Sequence, residues 1–330
     1  MSLLEKIADE LLGHFPRIAS GNYIHFLVLR HSQSFPVFQT DGVLNTARTQ
    51  AGLETRDNIS RLVLFKRKQT TPERLSGREL LRSLNLTSDD PDAENYCQYN
   101  SENSCKKCPD CILYGFAIGD SGSERSKVYS DSAFSLTPYE QSHRSFTFNA
   151  PSEGGTMSEG GKMRTAINEL DHVLPEVTFP TVESLRDSTY EGFIYMLGNL
   201  LRTRRYGAQE SRTGTMKNHI LGIIFADGEI FSNLYFTQAL YDVLKSDLYA
   251  PIADIRGQAS QAIERLLQEE PVRISHKIIG SELDEMLREV SAIYRDENRL
   301  TEVMSTLYEQ TQTYAQMYGA NSGTKKKGRK

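Results

Sequence analysis

The sequence predicts an α+β protein: a sheet domain with insertions, followed by a helical C-terminal lobe. Three observations carry that expectation. Apolar, β-rich runs at residues 23–30, 62–66 and 220–225 alternate with helical patterns at 76–84 and 189–201. From Asn233 to Tyr318 apolar residues recur at helical spacing. All four cysteines fall within fifteen residues, between Cys97 and Cys111, and the rest of the 330-residue chain has none. The expected boundaries are 1–88 for the first part of the core and its loop insertion, and 89–126 for a metal-binding insertion. Residues 127–232 complete the core and include a glycine-rich loop at 150–165. Residues 233–318 form the helical lobe and 319–330 a disordered basic tail.

In chain order, residues 1–15 read as an amphipathic helix. Glu5, Asp9 and Glu10 interrupt its leucines, unlike the basic start and unbroken apolar stretch of a signal peptide, so a cytoplasmic protein is expected. Residues 23–30 are apolar almost without interruption, as in a central strand covered on one or both faces. A polar loop is expected from Ser32 to Asn58, then a second strand at 62–66. The helix at 76–84 places Leu75, Leu80, Leu81 and Leu84 on one side. An acidic loop, 89–94, leads into the cysteines. Short β segments follow, notably 145–148, and then four glycines in the thirteen residues 150–162. Residues 177–179 precede the strong helix at 189–201, and the strand at 220–225 ends at an Asp227-Gly228 turn. In the C-terminal part Tyr235, Ala239, Leu240, Val243 and Leu244 share a helical face, as do Ile263, Leu266 and Leu267, and Leu283, Leu287 and Val290.

Hydrophobic content of 38% and charged content of 25% describe a soluble globular protein. No run of about 18 apolar residues is present to span a membrane. The net charge of −5 hides an uneven distribution. Residues 17–82 hold eleven Lys/Arg against five Asp/Glu, residues 282–309 hold eight acidic against three basic, and the last six hold five cations. A polyanion responds to charge within roughly 10 Å, so the mean charge does not exclude nucleic acid.

The cysteines stand as Cys97-x7-Cys105-x2-Cys108-x2-Cys111. Four thiolates at this spacing close around one soft ion, and with every ligand position filled the role is structural. The reading favours zinc. An iron–sulfur cluster also uses Cys-x2-Cys-x2-Cys, and Cys108-Pro109-Asp110-Cys111 alone would resemble a redox pair. No His-x-Glu precedes the cysteines, against a zinc deaminase.

A second constellation runs from Arg202 to Lys217, where five basic residues face one acidic residue among hydroxyls and glycines. Arg204, Arg205, Ser211, Arg212, Thr213 and Lys217 are phosphate-contact chemistry. Cations complementing a helix C-terminus would account only for Arg202, Arg204 and Arg205. Asn45, Arg48 and, in the glycine-rich loop, Met157, Lys162, Met163 and Arg164 are further candidates for nucleic-acid contact, the loop's bland alternative being a solvated linker. The seven histidines lack metal-type spacing, and neither a Ser/His/Asp arrangement nor a Walker motif is present. Asp41 alone is kept as a catalytic candidate.

Together these features resemble the backbone subunit of type I-D CRISPR interference complexes, in the repeat-associated RNA-binding superfamily. The resemblance rests on the strand-loop opening from Tyr23 to Arg30 and on Gly77-Arg78-Glu79-Leu80-Leu81. It also rests on Cys105-Lys-Lys-Cys-Pro-Asp-Cys111-Ile-Leu-Tyr-Gly115 and Tyr206-Gly-Ala-Gln-Glu-Ser-Arg212-Thr-Gly214. It implies a modified RRM-like (ferredoxin-like) core with a zinc-bearing insertion, and a thumb placed in the glycine-rich loop. It further implies a non-enzymatic subunit that polymerises head-to-tail along CRISPR guide RNA, with other Cascade subunits, target DNA or RNA paired through the guide, and no membrane. Relatives in type III complexes cut target strands with a loop aspartate, for which Asp41 is the comparable residue. The rivals are a nuclease of the same fold and a zinc-knot protein–protein adaptor. No aromatic RNP-type motif is present, so bases are not expected to stack on the sheet face.

Overall fold

The computed structural model describes residues 3–40, 42–119, 122–148, 158–159, 162–163, 168–207, 211–244 and 247–319. The first half contains β1 (Tyr23–Ser32), β2 (Thr46–Gln50), β3 (Asn58–Leu64), α1 (Lys66–Ser83), α2 (Pro109–Leu113), β4 (Val128–Ser130) and β5 (Ala133–Phe134). Then come β6 (Thr178–Arg186), α3 (Tyr190–Arg202), β7 (Met216–Ala226), α4 (Asn233–Leu244) and α5 (Ile252–Glu269). The chain closes with β8 (Ile274–Ile279), α6 (Gly280–Arg295) and α7 (Glu297–Tyr318).

The main sheet has five strands in the order β8-β7-β1-β6-β4, and every neighbouring pair is antiparallel. Between β1 and β4 the chain passes through α1, and between β6 and β7 through α3. A smaller sheet, β2-β3-β5, flanks it.

Side chains of a strand alternate between faces, and β1 buries both sets. Ile24, Phe26 and Val28 join a core with Phe193 and Leu197 of α3, Leu80 and Leu81 of α1, Val290 of α6 and Met304 of α7. On the other face Leu27 meets Phe236 and Ala239 of α4 and Leu266 of α5, while Leu29 meets Leu240 and Ala259. The uninterrupted apolar run is thus the signature of a strand sandwiched between helices.

Four local expectations change. The C-terminal part is not helical throughout: β8 adds an edge strand to the sheet beside β7. Its six residues alternate in burial between two long helices, too briefly to stand out as a strand. Helix α1 begins at Lys66 instead of Ser76, because Gln69, Glu73 and Arg78 face inward and Pro72 lies inside it, disguising the apolar stripe. Within the supposed loop after β1, β2 pairs with β3, a polar edge strand with no apolar face to betray it. At the N-terminus the helix is confined to Leu3–Lys6, where the Glu289 carboxylate accepts from the N–H groups of Leu3 and Leu4 at 3.0 Å each.

Among the described residues no helix is long and apolar enough to cross a membrane.

Candidate metal centre and nucleic-acid interface

The four thiols converge. Cys97 Sγ lies 3.9 Å from Cys108 Sγ and 3.7 Å from Cys111 Sγ, and Cys105 Sγ lies 3.9 Å from Cys111 Sγ. Disulfide sulfurs are bonded at about 2.05 Å, so these are free thiols. Four sulfurs placed about 2.3 Å from one tetrahedral ion stand roughly 3.8 Å apart, which is the spacing observed. The loop turns inward to make it: the Cys105 N–H donates to Cys97 Sγ and the Cys108 N–H to Cys105 Sγ, both at 3.3 Å. Hydrogen bonds from the neighbouring thiols, reinforced by the Arg78 guanidinium, drive Cys97 well below the usual thiol range, towards the thiolate that binds metal.

The knot is bolted to α1. Asp110, on α2 and almost fully buried, receives Arg74 Nε at 2.9 Å and Arg78 Nη1 at 2.9 Å. Arg78 also donates to the Cys97 carbonyl. Tyr308 of α7 packs against the cysteines from the other side. No local pattern marks this brace in the sequence, because Arg78 and Asp110 are 32 residues apart on different elements.

The cationic loop is rooted beside β1. After α3, Thr203 closes the helix by donating its hydroxyl to the Asn199 carbonyl at 2.8 Å. Arg205 and Thr215 form an antiparallel bridge, so residues 205–215 leave and return together. Gly207 pairs with Val37, where a Cβ would stand 2.3 Å from the Val37 carbonyl oxygen, and its φ of 101° suits glycine alone. Underneath, the Tyr206 hydroxyl donates to Glu73 Oε1 at 2.8 Å and accepts from Asn218 Nδ2 at 2.6 Å. Arg30 donates from Nη2 to both Glu73 and Glu183 at 2.6 Å, all three side chains fully buried. Burial and the adjacent Glu183 push the Glu73 carboxyl well above its usual range. In sequence this network leaves one visible trace, an arginine ending an apolar strand run.

Arg204, Arg205, Ser211, Arg212 and Lys217 are exposed on this loop and the start of β7. Arg205 Nη1 also donates to the Thr213 carbonyl. Thr213 is buried; its hydroxyl donates to the Tyr206 carbonyl and accepts from the Val37 N–H, so it holds the loop together. Asn45 donates to the Phe38 carbonyl and to Thr40 Oγ1, fastening a neighbouring hairpin. Arg48 is exposed on β2, at the edge of the smaller sheet, whose Leu62 and Leu64 share a core with Tyr206. Lys162 and Met163 form a two-residue strand paired with Glu159 and Ser158. Asp41, Met157 and Arg164 lie outside the described residues.

A family model described as Csc2 Crispr matches residues 10–304. The chain belongs to the Csc2 CRISPR family. That membership bears out the resemblance to a CRISPR backbone subunit drawn from the cysteine and Tyr-Gly-Ala segments. Among solved structures, the crystal structure of Thermofilum pendens Csc2 is 14% identical with a TM-score of 0.63, covering 97% of this chain and 99% of that one. A chain of a CRISPR RNA-guided surveillance complex is 15% identical with a TM-score of 0.48, covering 76% of this chain and 87% of that one. No curated protein sequence matches.

Proposed function

We propose that this chain is the guide-RNA-binding backbone subunit of a type I-D CRISPR interference complex, polymerising head-to-tail along the guide and presenting it to invading nucleic acid. Membership of the Csc2 family across residues 10–304 carries the reading. The strand and helix order, with β1 between β6 and β7 and a helix in each crossover, supports a ferredoxin-like core. Since helices cover both faces of the sheet, RNA is gripped at its rim, where Arg204, Arg205, Arg212 and Lys217 stand exposed on a loop fixed from below. Phosphate and sugar contacts of this kind carry no base code, so binding is independent of spacer sequence. Lys162, Met163, Arg164 and Met157 belong to the thumb that kinks the guide.

The thiolate quartet holds one zinc ion. Sulfur spacings under 4 Å suit a single tetrahedral ion; a multi-iron cluster keeps its thiolates further apart. The ion supplies no chemistry and stiffens the insertion against α1 and α7.

Replacing Arg204, Arg205 and Arg212 by Ala is expected to weaken binding to any single-stranded RNA. The slope of log K against log salt should flatten by about 0.7 for each phosphate the protein no longer neutralises. Anisotropy titrations at several salt concentrations check this; unchanged affinity and slope refute the assignment.

A further inference from the structure

Directly after the cationic loop, β7 presents Lys217 and His219 towards the end of β1. His31 pairs with Lys217, and Leu29 with His219, so both histidines and Lys217 share one face of the sheet. The two imidazoles stand 6.1 Å apart, edge to face. A cleft of about 340 Å³ opens here, walled by His31, Gln33, Lys217 and His219, with Ile252 opposite.

The charges acting on His219 are of one sign. His219 feels Lys217 on its own strand, Arg256 on α5, His31 on β1 and Arg204 from the segment after α3. The one carboxylate lining it is Glu176, beside His31. Arg204, Lys217 and Arg256 have no ion-pair partner among the described residues. Ile252 is the first residue of the 18-residue α5, so the N-terminus of that helix borders the cleft, with Asp254 in its first turn. His31 Nδ1 is engaged with Thr178 Oγ1 at 3.0 Å, which leaves Nε2 without a hydrogen-bond partner among the described residues. A cleft lined by Lys217 and two imidazoles, with ring nitrogens lacking hydrogen-bond partners among the described residues and the Arg204 and Arg256 charges felt at His219, suits an anion of tetrahedral oxygens.

We propose that this cleft is a phosphate subsite, seating one phosphodiester of the bound RNA between His31, Lys217 and His219, with the Arg204 and Arg256 charges adding to the attraction. The proposal rests on the RNA-binding reading and adds His31, His219 and Arg256 to its contacts. It also makes binding proton-linked. Burial, then the surrounding cations, hold His219 at about 4 in the free protein. A phosphate anion reverses that field and raises it, so the complex binds more protons than the free chain. Affinity therefore rises as pH falls from neutrality, by up to about tenfold per pH unit for one linked proton.

The test uses the full chain and a uridylate oligomer, followed by anisotropy at pH 5.5 and 7.5, with ¹⁵N-histidine spectra of the same titrations. Arg256→Ala and Lys217→Ala are each expected to lower affinity about fivefold and take about 0.7 from the salt slope. His219→Gln is expected to abolish the gain at pH 5.5, and RNA to shift the His31 and His219 resonances. If Arg205→Ala with Arg212→Ala weakens binding while Arg256→Ala and Lys217→Ala match the wild type, RNA binding stands and the subsite is wrong. If millimolar inorganic phosphate shifts both histidines but RNA does not, the cleft serves a free anion and the phosphodiester assignment fails. Absence of any RNA binding by the wild type overturns both readings together.

Discussion

Asp110 concentrates the brace between the cysteine knot and the fold in one carboxylate. It faces two guanidinium groups in a nearly dry setting, where removing one partner strands the others. Breaking such a buried pair costs about 3–5 kcal/mol. Asp110→Ala is therefore expected to lower unfolding free energy by about that amount in urea titrations and to loosen metal retention; a loss below about 1 kcal/mol would contradict the bracing role. The four cysteines are legible in sequence because all the ligands of the site lie in one short segment with knuckle spacing. Arg78 and Asp110 are not, since nothing local marks an arginine whose partner arrives from another element. Thr213 and Asn45 show the converse: polar side chains in a loop look alike in sequence whether they face a ligand or tie the backbone to itself.

Helices reveal themselves by a stripe, and the legible ones have a clean stripe. Thr189 caps α3 by accepting from the Gly192 N–H, within one residue of the expected start. Helix α1 reads short in sequence because its inward face carries charge, and β8 hides between two stronger patterns. Contact between α3 and α6 depends on Gly198, where an added Cβ would stand 1.7 Å from Tyr294 Oη. Overpacking of this kind costs about 1–3 kcal/mol. Gly198→Ala should lower the melting temperature, and combining it with Tyr294→Leu should recover part of the loss. Equal stability of Gly198→Ala and the wild type would show that the two helices have slack the packing does not reveal.

At the scale of the molecule, the class of fold is readable from the chain but the sheet order is not, because β1 joins β6 and β7 from more than a hundred residues away. The cysteine cluster, a candidate fastener confined to one short segment, is what the sequence does disclose. Stripping it of metal with a strong chelator is expected to accelerate amide exchange across residues 86–126 while β1 and α3 stay protected, because the main core is built from other side chains. Metal analysis should return one zinc per chain; iron with sulfide would contradict the single-ion geometry.

Helices 233–244 and 252–269 occupy the side of the sheet that an open RNA-recognition fold would offer to its ligand. On the proposed function a polynucleotide carried here would follow the margin of the molecule, with its phosphates turned towards the protein and its Watson–Crick edges turned away. Such a carrier would read nothing itself and would leave the lettering outward for another strand to find.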